Sequence, residues 1–209
     1  NPSPATFEVT WKSVQAGTLI TTPGHQNLLA GQVVNLSVTK KPIKYFPLIF
    51  SRVHQQFSGN EGRSIVVKNT STAAAKTSYQ LTSFYLEGDE RRAELLHNWS
   101  ASFLSFMHSR YGLKPPWESI HIVAVEAEYE QVDVLNNLVL VPLPNYKRSE
   151  FLDRQALGFL TRRLAQLWFG ELIWSNQDTQ QWFNLGVPAF FGLRFFQHNF
   201  GADSGIFDS

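Results

Sequence analysis

Two adjacent guanidiniums, Arg162 and Arg163, are followed by an amide at Gln166 and, beyond an intervening stretch, by Trp182, Asn184 and Leu185. A guanidinium presents a rigid fork of N–H donors, so this pair is suited to grip a carboxylate or the C-terminus of a peptide. The plainer use of the same charges is an ion pair with Glu171 or Asp178, or simple solvation. Neither arginine can serve a metal, because a protonated guanidinium has no lone pair to give. Histidine offers no substitute by pattern. His25, His54, His97, His108, His121 and His198 contain no pair at i and i+4. His97 and His108 fall on one expected helix about 16 Å apart, too far to share an ion. His121, between Ile120 and Ile122, reads as an exposed or hydrogen-bonded strand position. Glu126, Glu128 and Glu130 share one strand face and read as a solvated edge rather than a catalytic pair.

The apolar residues around the arginines form a frame with a known counterpart. Leu164, Ala165, Trp168, Phe169, Gly170, Leu172, Trp182, Asn184, Gly186 and Ala189 fall without a gap in a register that resembles the gluzincin aminopeptidases. That family, typified by aminopeptidase N and leukotriene A hydrolase, reads H-E-L-A-H-Q-W-F-G and then W-x-N-E-G. Its two His and its second Glu hold zinc, and the first Glu activates water. Here Arg162 stands at the first His, Arg163 at the catalytic Glu, Gln166 at the second His and Leu185 at the ligand Glu. The family also carries a G-x-M-E-N edge strand whose Glu holds the substrate amine. The stretch Val134-Leu135-Asn136-Asn137-Leu138-Val139 is similar in place, with Asn136 where the anchor would be. An amide offers an ammonium no full negative charge. The resemblance therefore implies a peptidase-like fold whose zinc, catalytic and amine-anchoring positions are all lost. It implies no catalytic residue, no metal ligand and no cofactor, although the family's cofactor is zinc. Arg162, Arg163 and Trp182 remain as candidate cleft-binding residues. The alternative is a metallopeptidase active through ligands outside this motif or outside this fragment.

Positioning these residues requires two kinds of element. From Phe7 to Leu86 the apolar pattern has a period of two and is interrupted by turn residues, which predicts strands. The expected strands are Phe7 to Lys12, Thr18 to Thr22, Gln32 to Lys40, one long run from Tyr45 to Phe57, Ile65 to Val67, and Ser78 to Leu86. At Asp89 the period changes: Leu95, Leu96, Trp99, Phe103, Phe106, Met107 and Tyr111 predict a helix ended by Gly112. Strands are expected over Ile120–Val125 and Leu138–Val141, a helix over 149–171, and a last helix from Gln180 or Val187 to His198. This order predicts an α+β protein: an N-terminal antiparallel β module over residues 1–86, then a truncated thermolysin-like α/β module over 87–209.

Composition bounds the partners. The 209 residues carry a net charge of +1 and are 43% hydrophobic, so a sizeable core forms and nothing pulls the chain toward nucleic acid. With no cysteine, disulfides, thiolate metal sites and a cysteine nucleophile are excluded together. No G-x-S-x-G elbow, Walker loop or G-x-G-x-x-G is present. No run is long and apolar enough to span a membrane, and no leader precedes Phe7. The start at Asn1 fits a processed or excised chain. Similar β-plus-peptidase-like modules occur as extracytoplasmic parts of bacterial membrane proteins related to transporter permeases, and the aromatic run after Pro42 looks like that subgroup. The resemblance thus implies a periplasmic or membrane-associated module, a membrane-embedded remainder of the parent chain, and a protein or peptide partner. It also implies a helical remainder beyond Ser209 holding the Tyr that stabilises the family's tetrahedral intermediate.

Overall fold

The computed structural model describes residues 8–12, 17–21, 25–37, 47–51, 54–57, 79–126, 132–142, 154–173, 175 and 181–201. Strands β1 (Glu8–Lys12), β2 (Gly17–Thr21), β3 (His25–Leu28), β4 (Val33–Ser37), β5 (Leu48–Ser51) and β6 (His54–Phe57) lead to β7 (Gln80–Leu86) and helix α1 (Glu90–Tyr111). Then follow β8 (Ser119–Val125), β9 (Asp133–Leu135), β10 (Leu138–Pro142), α2 (Arg154–Ala165) and α3 (Gln181–Phe200). The class is α+β, as the change of period at Asp89 implies.

Two small antiparallel sheets, β1–β4 and β3–β2–β5, belong to the N-terminal strands. The large sheet is mixed, in the order β6–β7–β8–β10–β9. Its three inner strands are parallel, and the two edge strands run antiparallel to their neighbours. A sheet with parallel inner strands is buried on both faces, which is why β8 reads as a continuous apolar run. On one face Leu81, Tyr85, Ile120, Ile122, Val139 and Val141 pack against Leu96, Phe103 and Met107 of α1 and Leu157, Leu160 and Leu164 of α2. On the other, Phe84, Val123 and Leu138 form a smaller cluster on which Ile49 of β5 rests. His121 lies on that second face, almost wholly buried, with its ring centroid 5.8 Å from that of Phe84. It is not the exposed strand position that alternation allows.

Helix α1 runs between the residues that the sequence marks. Asp89 is the N-cap, but its carboxylate pairs with the Arg92 guanidinium rather than capping a backbone N–H. Gly112 adopts φ 70°, with its N–H donating to the His108 carbonyl and the Leu113 N–H to that of Met107. The bond from Gly112 to His108 is that of an αL ending, which only a residue tolerant of left-handed backbone completes without strain.

Four expectations need correction. The run Tyr45–Phe57 is not one strand: β5 joins the β2 sheet while β6 joins the large sheet. Strand β7, expected to close the N-terminal β module, is an inner strand of the large sheet, hydrogen-bonded to β6 on one side and β8 on the other. Strand β3 escapes the apolar pattern because His25-Gln26-Asn27-Leu28 is mostly polar, its strand form coming from pairing with β2. The helix expected over 149–171 ends at Ala165, where bonds from the N–H groups of Gln166, Leu167 and Trp168 to carbonyls three residues back tighten the turn. Residues 65–67, expected as a strand, lie outside the described residues.

Candidate functional site

The degenerate motif sits where the end of α2 meets the start of α3. Both arginines occupy the last turn of α2, where a cation is favourable at the negative end of the helix dipole. Arg162 is half-buried and holds its guanidinium 5.9 Å from the centroid of the Phe159 ring, one turn back. Arg163, also half-buried, donates from Nη1 to Gln166 Oε1 at 3.0 Å. Burial pushes the Arg163 pKa below its ordinary value; the Asp133 carboxylate pulls it back up, and the Arg162 guanidinium pushes it down.

Gln166 is the centre of the arrangement. Its oxygen accepts from Arg163, while its Nε2 donates to the backbone carbonyl of Asn184 at 3.3 Å. That carbonyl needs a donor for a reason written in the sequence. Pro188, four residues further on inside α3, has no N–H and cannot supply the helical bond. The Asn184 side chain accepts in turn from the Ser175 N–H at 3.4 Å, tying the loop to the first turn of α3. A chain of polar contacts therefore runs from Arg163 through Gln166 to Asn184. Sequence reasoning placed Asn184 in the scaffold but gave it no partner; its spacing from Pro188 was the available signal.

The structure brings Arg163 and Gln166 together and leaves Leu185 and Trp182 outward, 51% and 66% exposed. Asn136 stands apart from them. It occupies the turn between β9 and β10 at φ 55°, buried, and its N–H donates to Glu171 Oε2 at 2.8 Å. It is therefore a turn residue beyond a three-residue edge strand, not a residue along that strand. Glu171, offered by the sequence as an arginine partner, is engaged there; Asp178 lies outside the described residues. Among the described residues, no carboxylate comes within ion-pair distance of Arg162 or Arg163.

The residues at the four motif positions do not fit zinc. Arg162 and Arg163 carry no free lone pair, Leu185 has no donor atom, and both ends of the Gln166 amide are occupied by Arg163 and Asn184. Among the described residues, no group of three or more His, Cys, Asp or Glu is placed to hold a metal ion.

The Gln166 bond to Asn184 yields a test. Replacing Gln166 by leucine leaves the Asn184 carbonyl short of a donor and is expected to cost about 1 kcal/mol or somewhat more. In a Pro188→Ala background the new backbone N–H can supply the bond, so the same change should cost distinctly less. A double-mutant cycle by urea unfolding measures this, and equal costs in both backgrounds would refute the assignment.

No family model matches this sequence. No curated protein matches it either. A solved structure does: Legionella pneumophila aminopeptidase A, in complex with aspartic acid, superposes with a TM-score of 0.60 at 11% identity over 93% of this chain. The chain spans 22% of the length of that protein. At this identity the likeness is one of fold, and the fold is aminopeptidase-like.

Proposed function

We propose that this chain is a non-catalytic, aminopeptidase-like module that binds a protein or peptide partner, serving as a binding or scaffold part of a longer protein. The observation that carries the reading is the polar chain Arg163–Gln166–Asn184. It fills the junction of α2 and α3 with hydrogen-bonded groups and a cation at the positions where the resembled motif would gather a metal. A guanidinium at the water-activating position would also oppose a divalent ion electrostatically. What the arrangement can do chemically is present cations and donors to an anionic group.

In this reading the parent protein is membrane-associated, with this module on the extracytoplasmic side. Among the described residues no helix is long and apolar enough to cross a membrane, so attachment would belong to another part of the parent chain.

The test is elemental analysis for zinc on protein purified without chelator, repeated after dialysis against micromolar zinc, together with hydrolysis assays on aminoacyl substrates. No stoichiometric zinc and no hydrolysis above buffer are expected on either occasion. One zinc equivalent that survives dialysis would overturn the reading in favour of a metallopeptidase with ligands outside the motif.

A further inference from the structure

We draw no further inference here: the strongest candidate, the exposed apolar stripe that Trp182, Leu185 and Phe190 form along α3, is an unpartnered helix face, and nothing in the structure shows what covers it.

Discussion

Truncating Phe195 to alanine is expected to lower the free energy of unfolding by about 3–5 kcal/mol. The ring is almost wholly buried and meets three rings of α1 edge-on, with centroid distances of 5.8 Å to Trp99, 5.3 Å to Phe103 and 5.4 Å to Phe106. Removing it leaves a cavity in the layer that holds α3 to α1, and aromatic neighbours relax into such a space only in part. Against a typical domain stability of about 5–15 kcal/mol the loss is large. Phe195→Leu should cost less, about 1–2 kcal/mol, since leucine keeps most of the apolar area while losing the ring edges. Urea unfolding of the three proteins measures both values. A loss below about 1 kcal/mol for the alanine variant would mean that α3 is not packed on α1 as described.

Which parts of this architecture the sequence disclosed depends on the range over which each is determined. Helix α1 was legible because its cap, its apolar spacing and its terminating Gly112 are all local signals. Strands β8 and β10 were legible for the same reason, being short apolar runs with clear ends. The division of Tyr45–Phe57 between two sheets was not, since alternation reports which face a residue occupies and nothing about the strand beside it. Likewise β7 looked like the end of a β module until its partner β8, beyond the whole of α1, was known.

The candidate site divides along the same line. The chemical character of Arg162, Arg163, Gln166 and Leu185 follows from residue type alone, so their unfitness for zinc could be read before any geometry. Their arrangement could not. That Gln166 reaches the Asn184 carbonyl depends on Pro188 having left that carbonyl without its helical donor, which couples three residues on two elements. The exposure of Trp182, Leu185 and Phe190 is also a tertiary fact, because an apolar density that predicts burial does not say which face is covered.

Acid should weaken this protein through His97 in a way that a single substitution removes. The imidazole is buried between α1 and the large sheet, with Nδ1 3.1 Å from the Ser83 hydroxyl oxygen. Burial penalises its charged form and lowers its pKa from the ordinary 6.5 to about 4. The folded state therefore keeps His97 neutral over a range in which the unfolded chain binds a proton. Its contribution is complete above pH 6.5, is lost as the pH falls from 6.5 to about 4, and changes no further below that. Across the window the unfolded state gains roughly 3 kcal/mol. His97→Gln keeps a polar side chain near Ser83 but has nothing to titrate. Carboxylates, which also protonate in acid, are common to both proteins, so the difference between their profiles isolates the histidine. Between pH 7 and pH 4.5 the wild type is expected to lose about 2 kcal/mol more than the variant in urea unfolding. Parallel profiles would show that His97 protonates as readily in the fold as outside it, and that the space between α1 and β7 admits water.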